Sequence, residues 1–246
     1  MLPDRKTRLA LGGAISDLVW YIDHNRGPVE KTGTVLDLSG NDNSGVLESD
    51  LLMGPEGLQT ATLDVNQILT VSGTGLALSS PATFCWWQKA ASSQITSTVS
   101  IPICINNGSN PFVTTGNVFG IRCGPFTGGL TNEQVVIFLV VGGAYTVYGW
   151  ETTRNLTNAW HHYIFTANGS AWGLYVDGQA VSLTASSAHP NAKHGEFCES
   201  IAGSITYQGA WERSDTTLTK LMLFRSVLDA TTANALYHAQ RHLFGV

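Results

Sequence analysis

Two adjacent histidines form the first group in the sequence whose side chains could do chemistry. His161 and His162 lie in the stretch "NAWHHYIFTANGSAWGLYVDGQAV", residues 158–181, where they could ligate a metal or move protons. Successive side chains of a strand point to opposite faces, so the two rings cannot reach one metal without a bulge. His189, His194 and Glu196 lie in a later loop without a characteristic ligand spacing. The sequence therefore favours a structural role for both groups.

A second candidate is the segment "DLSGNDNSG", residues 37–45, which carries many side-chain oxygens. Asp37, Asn41 and Asp42 are its best candidate ligands for calcium, a cation that takes about six to eight oxygens. The glycine that an EF-hand loop needs at position six is missing, because Asp42 stands there. The segment therefore predicts a polar turn. We expect no metal and no cofactor, and calcium is disfavoured.

The patterns of common enzymes are also missing. No G-x-S-x-G nucleophile motif occurs, and no Gly-rich loop leads from a strand into a helix to hold a phosphate. The four cysteines are widely spaced in apolar segments, so buried free thiols are expected, although three disulfide pairings stay open. They are Cys85, Cys104, Cys123 and Cys198. These observations predict that the protein is not an enzyme.

The seven tryptophans provide the best binding candidates. Trp150, with Tyr148 and Glu151 at the end of a predicted hairpin, and Trp211 in the polar loop "YQGAWERSD" are expected to be exposed. Exposed aromatic rings can stack on sugars or anchor a subunit interface, and the sequence leaves both roles open. Four further tryptophans are assigned to the scaffold: Trp86 and Trp87, of which only one need be core, and Trp160 and Trp172, which are expected to be buried.

The elements that must position these residues are mostly strands. Turn signals recur about every 8–12 residues, as in a sandwich or barrel. Gly142-Gly143, Asn168-Gly169 and Asp177-Gly178 predict hairpin turns. Asp229 can cap one C-terminal helix, "ATTANALYHAQRHL". The prediction is an all-β sandwich with one short C-terminal helix, formed by residues 17–246 and preceded by an N-terminal arm, residues 1–16.

Composition narrows the classes of partner. Thirteen Lys and Arg stand against eighteen Asp and Glu, a net charge of −5, and no basic patch is interleaved with aromatics, so nucleic acid is not expected. The basic cluster Arg5, Lys6 and Arg8 is interpreted as solvated. The apolar run at residues 135–141 is far shorter than the ~20 residues of a membrane span, so no membrane insertion is expected. No secretion signal is recognisable.

Several segments resemble laminin-G-like domains of the concanavalin A-like lectin/glucanase superfamily. The stretch at residues 158–181 is similar to the "W-H-H … Y-h-D-G" core of these domains. The segments "LVWYIDHNRGPVEKTGTVLDLSGNDNSG", "ATFCWWQKA" and "KLMLFRSVLDATTANALYHA" are similar to the opening strand and "D-x-S-G" turn, the "W-h-K" strand, and the closing strand and helix. The resemblance implies a jelly roll of two antiparallel sheets with a binding or adhesive role.

Two departures from the family pattern bear on function. Thr219 and Lys220 stand where calcium-binding members often carry acidic residues, which puts such a site in doubt. The complete "E-x-D-x-x-E" and "E-x-D-x-E" patterns of the glucanase branch do not occur, and such chemistry needs two carboxyls about 5 Å apart. The resemblance thus favours a module without catalysis.

The chain also resembles virion components of tailed bacteriophages, which are rich in Gly, Ser, Thr and Asn. We therefore expect a non-catalytic structural or adhesive virion protein: a head or tail decoration, fibre or adaptor, assembled in the host cytoplasm. It would contact other virion proteins or its own copies as a homo-oligomer, and also host-surface glycans. The alternatives are a free carbohydrate-binding lectin module, or a glycan hydrolase or lyase on the same fold.

Overall fold

A computed structural model describes the chain in segments. These are residues 3–23, 34–41, 43, 45–48, 51–54, 57–60, 68–71, 81–90, 100–106, 118–123, 134–141, 144–151, 156, 158–168, 171–185, 205–208 and 216–246. Within these segments, neither helix has the length and apolar character needed to cross a lipid bilayer.

The described strands form two sheets, and every pairing between them is antiparallel. The first sheet contains β1 (Leu18–Ile22), β4 (Leu51–Gly54), β5 (Gly57–Thr60), β7 (Ala82–Ala90), β12 (Trp160–Asn168), β13 (Ala171–Val176), β14 (Gln179–Val181) and β17 (Thr216–Phe224). The second contains β2 (Thr34–Val35), β3 (Gly45–Glu48), β6 (Ile68–Val71), β8 (Ser100–Asn106), β9 (Val118–Cys123), β10 (Gln134–Val141), β11 (Ala144–Glu151), β15 (Thr184–Ala185) and β16 (Ile205–Gln208).

Strand order shows how distant parts of the chain meet. The first sheet runs β14-β13-β12-β7-β17-β5-β4, with β1 also paired to β17. The second runs β15-β11-β10-β9-β8-β16-β6-β3-β2. Neighbouring strands are often far apart in sequence, as expected of a jelly roll. The prediction of an all-β sandwich of two antiparallel sheets is confirmed.

The hairpin turns have the local chemistry that the sequence predicts. Asp177 and Gly178 have φ of 52° and 76°, and Val176 pairs with Gln179, so the two residues make a two-residue turn of the I′ kind. A side chain at Gly178 would lie 3.2 Å from Asn234 Cα. Glycine is therefore required both by the positive φ and by the close approach of the C-terminal helix.

That helix, α2 (Ala230–Gln240), is the one the sequence predicts. The Asp229 carboxylate accepts a hydrogen bond from Thr232 N at 2.7 Å, which satisfies one of the free N–H groups at the helix start. Its buried face carries Ala233, Leu236 and Gln240. The first two of these pack in a cluster with Cys85 of β7 and other buried residues of the first sheet, so α2 covers one face of that sheet.

A second helix makes the prediction of a single helix incomplete. Helix α1 (Arg5–Leu11) is capped by Asp4, whose carboxylate accepts from Thr7 N at 3.0 Å, and a 3-10 helix (Gly12–Asp17) leads from it into β1. Thr7 and Leu11 are buried, and Gln240 Nε2 of α2 donates to Thr7 Oγ1 at 3.3 Å. Residues 5–17 therefore pack on the protein body. The division of the chain at residues 16 and 17 remains a prediction.

The helices also correct the prediction for the tryptophan pair. Trp86 and Trp87 point to opposite faces of β7, yet both are 0% exposed. Trp86 stacks on Tyr163 with ring centroids 5.1 Å apart. Trp87 lies on the helix-covered face and donates from Nε1 to Gln240 Oε1 at 2.7 Å. Both tryptophans belong to the core because the helices cover the second face of the sheet, which was expected to face solvent.

Candidate functional site

The predicted polar turn supports strand β1. One oxygen of the Asp37 carboxylate accepts hydrogen bonds from Tyr21 N at 3.0 Å and Ser39 N at 2.8 Å, and the other from Asn43 N at 3.0 Å. Leu38 N donates to Tyr21 O at 2.8 Å. The Asp37 carboxylate therefore supplies acceptors for backbone donors of β1 and of the turn itself.

Of the other two metal candidates, only Asn41 is described. Asn41 donates from Nδ2 to Leu18 O at 3.0 Å, and it presents this amide group to β1. Asp42 lies outside the described residues. Among the residues that the structure does describe, no group of three His, Cys, Asp or Glu side chains could hold a metal ion.

The two histidines point to opposite faces, as predicted. His161 Nδ1 lies 2.9 Å from Asp177 Oδ2, while the His162 ring stacks on Trp87 with centroids 4.9 Å apart. The other Asp177 oxygen accepts from His162 N at 3.0 Å. Asp177 thus ties the hairpin turn to β12, and the histidines do not converge on one ligand. The sequence marked Asp177 only as a turn residue.

His162 is 1% exposed beneath the helices. This burial lowers the pKa of His162 to about 3, and the negative charge of Asp177 opposes the change only in part. The imidazole is therefore neutral in the folded protein at physiological pH. Burying a neutral ring next to Trp87 avoids the large cost of burying an unpaired cation.

The low pKa of His162 makes stability depend on pH. Below its ordinary pKa of 6.5, the unfolded chain binds a proton at this ring that the folded protein excludes until about pH 3. The free energy of unfolding is therefore expected to fall as pH decreases through this window, by up to about 1.4 kcal/mol per pH unit from this residue.

Urea unfolding near neutral pH and again at about pH 4.5 measures the effect. His162→Phe is the matched variant, since its ring can stack on Trp87 but does not titrate. When the pH is lowered from neutral to about 4.5, the free energy of unfolding of this variant should fall by about 2–3 kcal/mol less than that of the unmodified protein. An equal loss in both proteins would rule out His162 as the source.

The lysine that departs from the family pattern forms a buried ion pair. Lys220 is 2% exposed, and its Nζ lies 2.7 Å from Asp23 Oδ2. The Tyr21 hydroxyl donates to the same oxygen at 2.6 Å. The Lys220 ammonium group thus lies next to the Asp23 carboxylate, in the position that a bound metal cation would need. The sequence did not predict this pairing, since the two residues lie 197 positions apart.

The backbone at Lys220 is unusual as well. Its φ is 49°, which is uncommon for a residue other than glycine, and the register between β17 and β7 shifts between Thr219 and Met222. At the same point, the strand that pairs with the other edge of β17 changes from β5 to β1. The bulge therefore places Lys220 at the point where its amine meets Asp23 beyond the end of β1.

The predicted binding aromatics are only partly described. Trp150 is 8% exposed, so the prediction that it is exposed is wrong. Its strand, β11, lies between β10 and β15 in the second sheet and is not an edge strand. Tyr148 and Glu151 lie in the same strand, and position 148 shares the face of Trp150. The side chains of Tyr148 and Glu151, and the whole of Trp211, lie outside the described part. The binding role of all four stays a prediction.

The structure describes some of the scaffold tryptophans and cysteines. Trp160 and Trp172 are half-buried rather than fully buried; the Trp160 ring lies 4.9 Å from that of Phe244, and the Trp172 ring lies 5.7 Å from that of Phe165. Cys85 is a buried free thiol, and its burial raises the pKa well above the ordinary value. Cys104 and Cys123 lie in β8 and β9 with side chains that are not described, and Cys198 lies outside the described residues.

One partial acidic pattern of the glucanase type does occur in the chain. Glu48 and Asp50 make a Glu-x-Asp pair, but Leu52 and Met53 stand where the second glutamate of either complete pattern belongs. Because side chains alternate between the two faces of a strand, the missing glutamate would be needed to give a row of acids on one face. The described carboxylates considered above, those of Asp23, Asp37 and Asp177, all bond within the scaffold.

Solved structures with a similar fold include toxin binding domains. The ligand-binding domain of botulinum neurotoxin serotype D, in complex with N-acetylneuraminic acid, is 13% identical with a TM-score of 0.66, and the match covers 94% of this chain and 53% of that chain. The binding domain of Paraclostridial Mosquitocidal Protein 1 is 14% identical with a TM-score of 0.59, over 91% and 52%. The chain therefore spans about half the length of these domains.

A sialidase shares the fold too. The enzyme from Trypanosoma rangeli is 14% identical with a TM-score of 0.60, and the match covers 93% of this chain and 33% of the enzyme. At such identities the likeness concerns the fold alone. No curated protein sequence is significantly similar to this chain.

The sequence itself identifies the family. Residues 63–232, more than half of the chain, match the family model Laminin_G_3, described as a concanavalin A-like lectin/glucanases superfamily. The match includes the β12–β14 meander and the closing strand β17, which the structure places side by side with β7 in one sheet. The chain therefore belongs to the Laminin_G_3 family of the concanavalin A-like lectin/glucanases superfamily.

Proposed function

We propose that this protein is a non-catalytic, glycan-binding module. The observation that carries the proposal is the lectin-like fold, which over 94% of the chain matches a toxin domain solved with N-acetylneuraminic acid. Other structures that share the fold are also named as binding domains. Sialylated glycans are therefore the first ligands to test.

Trp211 and the end of β11 are the proposed contacts. Two acids beside the first sheet are used within the scaffold: Asp177 bonds to both histidines, and Asp23 bonds to Lys220. Trp211 lies in a polar loop, where an indole face could stack on a sugar ring and Glu151 could accept bonds from its hydroxyls. Trp150, being buried, would support Tyr148 and Glu151 from within the same strand.

A glycan array that pairs each sialylated glycan with its desialylated form tests the proposal. We expect sialylated binding that weakens at least tenfold in Trp211→Ala, equal to about 1.4 kcal/mol, with no change in melting temperature. Trp211→Phe is the matched control, because it keeps an aromatic face and should retain most of the affinity.

Two outcomes would contradict this proposal. If the unmodified protein binds none of the glycans on the array, the proposal is wrong. Release of free sialic acid from a bound glycan would favour the alternative of a glycan hydrolase, in line with the sialidase that shares the fold.

We further propose that the module acts as a structural or adhesive part of a bacteriophage virion, in contact with virion proteins or its own copies. The proposal rests on composition and on the binding character of the fold. It predicts that the protein co-purifies with intact particles and is assembled in the host cytoplasm. A protein that is absent from washed particles and remains monomeric would instead be a free lectin.

A further inference from the structure

The described cations fall into two groups. Lys220 is paired with Asp23, and both Lys89 and Arg225 have interacting partners. In contrast, Arg5, Lys6 and Arg8 of helix α1 are exposed and form no ion pair with any described residue. Arg241, just after α2, is also exposed and lies 6.0 Å above the Tyr237 ring. Among the cations whose side chains the structure describes, those without an acidic partner therefore lie on or next to the two terminal helices.

Three of these cations surround an exposed leucine on α1, and the fourth follows the neighbouring helix α2. Thr7 and Leu11 define the buried side of α1, so Leu9, which is 72% exposed, lies on the opposite side, with the three cations around it. Gln240 contacts Thr7, which brings the following residue, Arg241, close to α1. We name this surface, made of Arg5, Lys6, Arg8, Leu9 and Arg241, the basic helix patch.

A chain of buried hydrogen bonds fixes the patch to the sheet. Trp87 Nε1 donates to Gln240 Oε1 at 2.7 Å, and Gln240 Nε2 donates to Thr7 Oγ1 at 3.3 Å. The Thr7 hydroxyl in turn donates to Asp4 Oδ2 at 2.9 Å. Thr7, Trp87 and Gln240 are all 0% exposed. The patch is thus held in place before any partner binds, which lowers the entropic cost of binding.

We propose that the basic helix patch binds a second copy of this chain, head to tail. Without its four cations the chain retains nine Lys and Arg against eighteen Asp and Glu, so the rest of the molecule is strongly acidic. Two such patches would repel each other, which excludes a symmetric patch-to-patch contact. A patch against the acidic remainder of another copy satisfies the charges on both sides.

The exposed leucine favours protein over nucleic acid as the partner. Leu9 lies among the three α1 cations, where a phosphate backbone would leave it unpacked, whereas a protein surface can bury it. A head-to-tail contact repeats from copy to copy and closes into a ring or continues as a filament. This inference goes beyond the proposed glycan binding and does not depend on it.

Sedimentation velocity at about 0.05 M and about 0.5 M NaCl tests the contact, because salt screens exposed charges. We expect concentration-dependent association at low salt that weakens at least tenfold at high salt. The variant with Arg5, Lys6 and Arg8 all changed to Glu should be monomeric at either salt. Arg5→Lys with Arg8→Lys keeps the charge and should associate as the unmodified protein does.

Mixing the charge-reversed variant with the unmodified protein gives the most specific test of the head-to-tail contact. The charge-reversed variant lacks the patch but keeps its acidic surface, so it should still accept the patch of an unmodified copy and end the growing assembly. Short capped complexes in the mixture support the head-to-tail contact. A thermal melt equal to that of the unmodified protein confirms that the variant is folded.

Three results would overturn the proposal. One is a monomeric protein at low salt and the highest concentration reached. Another is association that the triple reversal leaves intact. A third is a monomer whose patch binds anionic vesicles or an oligonucleotide, which would make the partner a lipid surface or a nucleic acid. Glycan binding is read separately, so its failure would leave this test unaffected.

Discussion

Changing Asp23 to asparagine is expected to lower the free energy of unfolding by about 3–5 kcal/mol, the usual cost of breaking a buried ion pair from one side. The Lys220 side chain is 2% exposed, and its partner atom, Asp23 Oδ2, lies 2.7 Å from Nζ. Asparagine nearly preserves the shape of the side chain and can still accept from the Tyr21 hydroxyl. The loss therefore reports the uncompensated charge rather than a cavity. Urea unfolding at neutral pH measures it.

The matched control removes both charges. Asp23→Asn combined with Lys220→Met leaves no buried ion, and methionine has a similar length and unbranched shape. This double variant should regain a large part of the lost stability, because replacing a buried pair with uncharged groups is often close to neutral. A double variant less stable than Asp23→Asn would show that Lys220 stabilises the bulge by some means other than its charge.

Replacing Trp87 with alanine is expected to cost about 3–5 kcal/mol, the range for a large aromatic truncated in a core. The indole is 0% exposed, with Phe244 at 4.1 Å and His162 at 4.9 Å between ring centroids. It also donates to Gln240, so its loss leaves a buried amide oxygen without that donor. Both terminal helices should loosen, and hydrogen exchange should accelerate in residues 5–17 and 230–240.

Trp86→Ala is the control for this second effect. Trp86 is equally buried, but it packs on the other face of β7 against Tyr163. A similar loss of stability is expected, without the selective acceleration of exchange in the helices. Equal acceleration in both variants would mean that the helices do not depend on Trp87 in particular.

Local chemistry allowed much of the fold to be predicted. The Asp177-Gly178 turn and the Asp229 helix cap each depend on residues within a few positions, so both can be predicted from a single sequence. Helix α1 was missed because it spans only seven residues and is stabilised by contacts such as Thr7 with Gln240, 233 positions away. Isolated helices of that length are unstable in water.

The candidate site was less predictable for the same reason. The His161–His162 alternation follows from strand geometry and is confirmed. The role of Lys220 depends on a bulge and on Asp23, neither of which has a local signal. The exposure expected of Trp150 failed because a hairpin end in sequence can still lie in the middle of a sheet, here beside β15. Trp211 remains a prediction.

The pairing of β1 with β17 has a consequence for how the protein is made. The two strands are joined by Trp20 with Leu223 and Tyr21 with Met222, and the Lys220–Asp23 bond closes a span of 197 residues. During synthesis β1 emerges before β17, and the strands β2 to β16 must all follow before its partner exists. Such late, non-local closure slows folding and leaves apolar strands open to wrong contacts. We therefore expect β1 to need protection by chaperones until β17 has been made.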